Sequence, residues 1–86
     1  MKSIYTQEYG RFIELLIAAR KAVPLTQQEL AKKLHRPQSF VSKYERGERR
    51  LDVVEFIAIA RALSLPAASL ISDLETDFAA IRRRAR

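Results

Sequence analysis

The sequence predicts an all-α fold with five helices joined by short connections. Only two Gly and three Pro interrupt the 86 residues, and the helix-favouring Ala, Leu, Ile, Glu, Arg and Lys are frequent. Apolar residues recur every three or four positions, whereas the alternating runs typical of strands are absent. A chain of this length builds one core, so we expect residues 1–86 to form a single domain.

The first helix is predicted from about Thr6 to Ala22. Its apolar stripe follows helical spacing, is widened by Leu15, and comprises Phe12, Leu16, Ala19 and Val23. Pro24 follows and ends the helix, because proline lacks the N–H group that a helix interior requires.

The second helix begins at the sequence TQQE, residues 26–29, which predicts a capping box. The Thr26 hydroxyl can accept a hydrogen bond from the backbone N–H of Glu29, and the Glu29 carboxylate can reach back to residue 26. The helix is predicted to reach about Leu34.

The third helix follows a break at the sequence HRP, because Arg36, which precedes a proline, avoids the α region. Pro37 is well suited to a helix start, and the helix is predicted to run from about Gln38 to Arg46. Gly47 then terminates it.

Two further helices complete the predicted fold. Asp52 caps the fourth, which reaches Ala62 or Leu63 and has as its core stripe Val53, Phe56, Ala60 and Leu63. Pro66 starts the fifth, whose apolar positions continue almost to the end of the chain at Leu70, Ile71, Leu74, Phe78 and Ile81.

Positive charge is concentrated in two stretches of a chain with net charge +6. Residues 32–50 hold seven basic and two acidic side chains, and the terminal RRRAR adds four arginines. This distribution indicates a surface for a polyanion, nucleic acid first and an anionic membrane second, although basic runs are often only solvated faces. There is no apolar run of about 18 residues, no signal-peptide pattern and no Cys, so we expect a cytoplasmic protein that does not enter a membrane.

The third helix carries side chains suited to reading DNA bases. Gln can pair with adenine, Lys with guanine, and Ser with several bases. Helical spacing turns Val41 and Tyr44 inward and places on the opposite face Gln38, Ser39, Ser42 and Lys43. Two short helices around a brief turn are typical of a helix-turn-helix, whose second helix enters the major groove. The alternative is an ordinary solvated surface.

Three stretches carry a resemblance to a known family: LTQQELA at 25–31, PQSFVSKYERG at 37–47 and IARALSL at 59–65. Together they resemble the phage repressor and Cro family of helix-turn-helix proteins, the Xre type, over about residues 11–74. The resemblance implies a five-helix lambda-repressor-like domain that binds double-stranded DNA, with a C-terminal helical extension and basic tail over about 75–86.

The resemblance also implies roles for individual residues. The base-facing positions of the family match Gln38, Ser39, Ser42 and Lys43. Phosphate contacts are implied for Gln27, Arg36, Arg46, Arg49 and Arg50, and the first of these can also brace the first recognition residue. Arg20 and Glu45 match a partly buried ion pair that ties the first helix to the end of the third. No catalytic residue, metal or cofactor is implied.

His35 and Phe40 each allow two interpretations. His35 stands where the family turn usually has Gly, and a left-handed conformation there would cost about 1 kcal/mol. We interpret His35 as a turn residue rather than as a phosphate contact. Phe40 either packs against Tyr44 or touches a thymine methyl group, and the sequence does not decide between them.

The family resemblance implies a homodimer, because one recognition helix covers only a few base pairs. A repressor would bind a near-palindromic operator with half-sites about 34 Å apart or a multiple of that distance. The fifth helix extends beyond the residues that resemble the family, where little of the domain is left to cover it. Its apolar stripe is therefore predicted to be the dimer interface, through Leu70, Leu74, Phe78 and Ile81. The alternative is that this stripe folds back on the first helix beside Ile13 and Ile17.

Three other function classes compete with DNA-binding regulation. An antitoxin-like module that holds a protein partner, with only autoregulatory DNA binding, uses the same fold and is not distinguished by the sequence. An enzyme is disfavoured because there is no Gly-rich phosphate loop, no nucleophile with a credible His base and no metal-ligand cluster. RNA binding is disfavoured because exposed aromatic residues are scarce.

Overall fold

The structure is a computed structural model, and it describes residues 6–85. Within that range all regular structure is helical, which confirms the predicted all-α fold of five helices. The helices are α1 (Gln7–Ala22), α2 (Gln27–Leu34), α3 (Gln38–Glu45), α4 (Val53–Ala62) and α5 (Ala67–Ala85). The two short helices α2 and α3 pack on each other, α1 lies across α3 and α5, and α4 contacts α2 and α5.

Side-chain caps explain where three of these helices begin. The capping box predicted at residues 26–29 is present: Glu29 N donates to Thr26 Oγ1 over 3.0 Å, and Thr26 N donates to Glu29 Oε1 over 2.9 Å. Asp52 caps α4 as predicted, and it does so through a second box with Glu55 that was not predicted. Thr6 accepts from Tyr9 N at the start of α1. The starts of α1, α2 and α4 are thus set by residues adjacent to them in the sequence.

Two left-handed residues shape the turns after α2 and α3. His35 has φ 57° and ψ 40°, the left-handed conformation expected at the usual Gly position, and its side chain is exposed. Gly47 has φ 78° and follows α3, as its predicted role as a terminator requires. Ser64, after α4, also has a positive φ of 60°, which no sequence pattern predicted.

The core is formed where all five helices meet. Its largest fully enclosed side chains are Tyr44, Leu16, Leu30, Ile59, Leu63 and Val41. The stripe predicted for α1 is partly wrong, since Val23 is 41% exposed whereas Ile13 and Arg20 are buried. The buried face of α1 is therefore rotated from the predicted stripe toward Ile13 and Arg20. The stripe predicted for α4 is wrong at Val53, which is 64% exposed.

The apolar stripe of α5 is covered within the chain itself. Leu70, Leu74 and Ile81 are only 6%, 8% and 9% exposed, and Phe78 is half-buried. A hydrogen-bonded ion pair between Arg11 Nε and Asp77 Oδ2, 2.8 Å long, also fastens α5 to α1. The exposed stripe from which the dimer interface was predicted is therefore absent, and α5 folds back on α1 instead. The reason is that α1 packs along α5 within the same chain.

Tyr44 offers a test of the packing at the centre of this core. Its side chain is completely enclosed, and its hydroxyl has no hydrogen-bond partner among the described residues. We expect Tyr44→Phe to leave the free energy of unfolding unchanged or raise it by about 1 kcal/mol, because a buried unpaired hydroxyl is costly. Urea denaturation measures the difference. A decrease of more than about 1 kcal/mol would mean that the hydroxyl does have a partner.

Tyr44→Phe should also change how the free energy of unfolding depends on pH. Burial raises the pKa of Tyr44 above its ordinary value of 10.0. Above that pH the unfolded chain ionises this hydroxyl while the folded chain keeps it neutral, so the Tyr44 contribution to stability decreases as pH rises. In Tyr44→Phe, that part of the alkaline decrease in unfolding free energy should be absent.

Candidate nucleic-acid interface

The outer face of α3 presents a row of polar side chains. Gln38, Ser39 and Lys43 are exposed, whereas Ser42 is half-buried. The Ser42 hydroxyl donates to the backbone oxygen of Ser39 over 3.3 Å, so its proton is already engaged within the helix. Gln38, Ser39 and Lys43 thus have the accessibility that base contacts require, and Ser42 has less of it.

A buried ion pair lies behind this face. Arg20 Nε donates to Glu45 Oε2 over 2.8 Å, and Arg20 Nη2 donates to Glu45 Oε1 over 3.0 Å. The two side chains are 10% and 5% exposed, and Arg20 Nη1 also donates to the backbone oxygen of Leu25. Hydrogen bonding to Glu45 raises the pKa of Arg20. This two-pronged contact joins the last turn of α1 to the end of α3.

Gln27, the first residue of α2, extends the ion pair toward the recognition surface. Its Nε2 donates to Glu45 Oε1 over 2.8 Å. Its Oε1 accepts from Gln38 Nε2 over 3.5 Å, which is long for a hydrogen bond. A connected chain of polar groups therefore runs from Arg20 through Glu45 and Gln27 to Gln38, and its last contact is the longest.

Phe40 belongs to the core side of α3. It is 6% exposed and meets the Tyr44 ring edge-on, with 5.5 Å between the ring centroids. The guanidinium groups of Arg36 and Arg49 lie 4.0 and 4.9 Å from the centre of its ring. Of the two roles considered for Phe40, packing against Tyr44 is therefore the one observed. The ring also serves as a platform for two arginines.

Arg49 is held within the loop between α3 and α4. Its Nη1 and Nη2 donate to the Glu55 carboxylate over 3.0 and 2.7 Å, and Nη1 also donates to the backbone oxygen of Arg50. Hydrogen bonding raises the pKa of Arg49 and lowers that of Glu55, which also accepts from Asp52 N. Much of the donor capacity of Arg49 is therefore used internally, which the phosphate role implied for it did not anticipate.

Arg46 and Glu48 form a second pair in the same loop. Arg46 Nε and Nη2 donate to Glu48 over 2.9 and 3.2 Å, and both side chains are more than half exposed. The contact raises the pKa of Arg46 and lowers that of Glu48. Because water surrounds the pair, a phosphate group could replace the carboxylate at little cost.

Tyr9 on α1 supports the loop from the other side. Its hydroxyl accepts a hydrogen bond from Leu51 N over 3.0 Å, and the Arg50 guanidinium lies 4.1 Å from the centre of its ring. The ring also meets Phe12 edge-on. Sequence reasoning missed this residue, because helical periodicity does not show that the first turn of α1 reaches the loop.

A family profile described as Helix-turn-helix (HTH_3) matches residues 16–70. The chain belongs to this family of Xre-type helix-turn-helix DNA-binding proteins. Among solved structures, this helix-turn-helix protein is similar to an XRE-family like protein from Pseudomonas syringae pv. tomato str. DC3000, with 49% identity and a TM-score of 0.78. That similarity covers 80% of this chain and 84% of the other. No curated protein matches the chain.

Membership of the Xre-type family confirms the predicted resemblance and assigns the helix-turn-helix to DNA-binding regulation of transcription. The family is one of regulators rather than of enzymes. Across the described residues, no group of three or more His, Cys, Asp or Glu side chains could hold a metal ion. No single helix in that part of the chain is long and apolar enough to cross a membrane. Within the described residues, α4 and α5 reach the length and apolar composition of a membrane span only when they are taken together, and the pair is bent by 116°.

Proposed function

We propose that this Xre-type protein is a sequence-specific repressor, of bacterial or phage type, that binds a near-palindromic DNA operator as a homodimer in the cytoplasm, at the nucleoid. The observation that carries this proposal is the exposed polar face of α3, supported from behind by the chain from Arg20 to Gln38. Side chains held in place before binding lose less conformational freedom when they meet a base edge. Gln38, Ser39 and Lys43 would make the main base contacts.

The phosphate contacts would come from the basic residues that border α3. Arg36, stacked on Phe40, and Arg50, stacked on Tyr9, are each held by an aromatic ring. A guanidinium meets a ring with its flat face, whereas its N–H donors point outward at its edges, where phosphate oxygens approach. Arg46 would exchange Glu48 for a phosphate, and Gln27 would meet the backbone at the start of α2. These contacts would supply affinity that decreases with salt.

The homodimer needs a surface other than the covered stripe of α5. The large apolar side chains that remain exposed on α4 and α5 are Val53, Val54, Ile57 and Ile71, at 40% to 72% exposure. Such a surface would be covered in a dimer. Three of the four residues belong to α4, which follows the phosphate-binding loop directly, so a dimer formed there would fix the spacing of two loops and two recognition helices.

Selection from a random duplex DNA library at near-physiological salt tests the proposed function. The expected result is a two-fold symmetric motif whose half-sites are one helical turn, or a multiple, apart. Retention of DNA without any motif would contradict sequence-specific reading and would favour a module whose main partner is another protein.

Single substitutions should separate base reading from backbone binding. We expect Gln38→Ala and Lys43→Ala to relax preference at particular base pairs by about 1–3 kcal/mol each. Arg50→Gln should instead weaken binding to all sequences. It should also reduce the slope of log K against log salt by about 0.9 for each phosphate that is no longer neutralised. Arg49 is a poorer probe, because its removal also breaks the Glu55 contact. Fluorescence anisotropy on operator and scrambled duplexes measures both effects, and equal weakening on every sequence by all three variants would refute this division of roles.

Glu48 should limit affinity for DNA, because it is paired with Arg46 on the loop that would meet the phosphates. We expect Glu48→Gln to tighten binding to all sequences by about twofold to fivefold, since it frees Arg46 and removes a negative charge. Glu75→Gln, at an exposed position on α5, makes the same charge change away from the loop and is the matched control. Unchanged or weaker binding by Glu48→Gln would mean that Arg46 does not face the backbone.

A further inference from the structure

The last turns of α5 carry three consecutive arginines that the described residues do not neutralise. Arg82, Arg83 and Arg84 are exposed, and none has a hydrogen bond or ion pair within the described part of the chain. Ion pairs within a helix join residues three or four apart. At those distances before the arginines stand only apolar residues, Phe78, Ala79, Ala80 and Ile81. Three adjacent positive charges are therefore available to an external anion.

The position of this cluster relates it to the DNA-facing loop. Arg84 and Ile81 line an open cleft of about 430 Å³ whose other wall is the first turns of α1, including Thr6, Gln7 and Gly10. Tyr9, in the same turn of α1, contacts Arg50 and the backbone of Leu51. The end of α5 and the loop between α3 and α4 thus flank the same end of α1.

We propose that Arg82, Arg83 and Arg84 form a second phosphate-binding surface, which grips the DNA backbone outside the base pairs read by α3. This inference rests on the proposed DNA-binding function and extends its footprint. The surface adds affinity and salt dependence but no base preference, because phosphate contacts carry no direct sequence information. Positive charges near a helix C-terminus also stabilise the helix itself, and that effect is independent of DNA.

The test compares the full chain with the variant R82Q/R83Q/R84Q on operator duplexes that carry either two or twelve flanking base pairs on each side. The wild type should bind the long duplex more tightly than the short one, and the triple variant should bind both equally. The slope of log K against log salt on the long duplex should fall by about 0.9 for each phosphate that the arginines neutralise in the wild type. Arg61→Gln, at an exposed position on α4, is the charge control and should keep the wild-type slope and flank dependence. Thermal unfolding checks that each variant is folded.

Two results would overturn the second surface. The first is a triple variant whose slope and flank dependence equal those of the wild type. The second is a variant that keeps its DNA binding but no longer binds vesicles of anionic lipid that the wild type binds. Scrambled duplexes of the same length measure base preference separately. A wild type with flank dependence but no base preference would contradict the proposed function without contradicting the second phosphate-binding surface.

Discussion

Glu45→Ala should lower the free energy of unfolding by about 3–5 kcal/mol, because it leaves the Arg20 guanidinium buried without its partner. The substitution removes two hydrogen bonds from Arg20 and one from Gln27. Urea denaturation followed by circular dichroism measures the change. At temperatures where the variant remains folded, its base preference at the Gln38 contact should also weaken, because Gln27 is no longer fixed.

The double variant Arg20→Met, Glu45→Leu is the matched control for this effect. It removes both charges together and fills the space with apolar side chains of similar size. It should therefore lower the free energy of unfolding much less than Glu45→Ala does. It should nevertheless show the same weakening of preference at the Gln38 contact. If Glu45→Ala cost less than about 1 kcal/mol, the pair would behave as a solvated contact rather than a buried one.

Truncation after Asp73 should destabilise the domain by about 3 kcal/mol or more. It removes Leu74 and Ile81, which are each worth about 1.5–3 kcal/mol when buried, and it breaks the pair between Arg11 and Asp77. Because α5 covers α1 within one chain, the shortened protein should be less stable rather than simply monomeric. Thermal unfolding with sedimentation measures stability and association together. A truncated chain as stable as the full one would contradict the packing of α5 on α1.

A point variant separates this packing from assembly. Val54 is 72% exposed on α4, so Val54→Glu should leave the unfolding free energy nearly unchanged while it breaks the proposed dimer. A Val54→Glu protein that still sediments as a dimer would place the interface elsewhere on the surface.

Local signals predicted the helices well. The capping box at Thr26 and the terminator Gly47 each depend on residues adjacent in sequence, and both are present. The left-handed turn at His35 is also present, but it was expected from the family resemblance. The family resemblance supplied the contact between Arg20 and Glu45, which no local pattern predicts, since 25 positions separate the two residues.

The parts that could not be predicted depend on which element covers which face. Periodicity shows that α5 has an apolar stripe but not that α1 buries it, so Leu74 and Ile81 were assigned to an interface. Long side chains raise the same difficulty, because Arg49 can extend toward a phosphate or toward Glu55, and only the folded loop decides. Tyr9 lies outside residues 16–70, where the family profile matches, and its contact with the loop had no sequence signal.

The polar chain behind α3 divides the recognition surface into a fixed part and an adaptable part. Gln38 is tied through Gln27 to the buried ion pair, whereas the side chains of Ser39 and Lys43 have no hydrogen-bond partner in the described part of the chain. Changes at Ser39 and Lys43 therefore leave the core and its polar network intact. If α3 reads bases as proposed, new operator preferences would arise at these two positions by single substitutions, while Gln38 would keep its own base contact. Related regulators that share this scaffold could diverge in target sequence without passing through unstable intermediates.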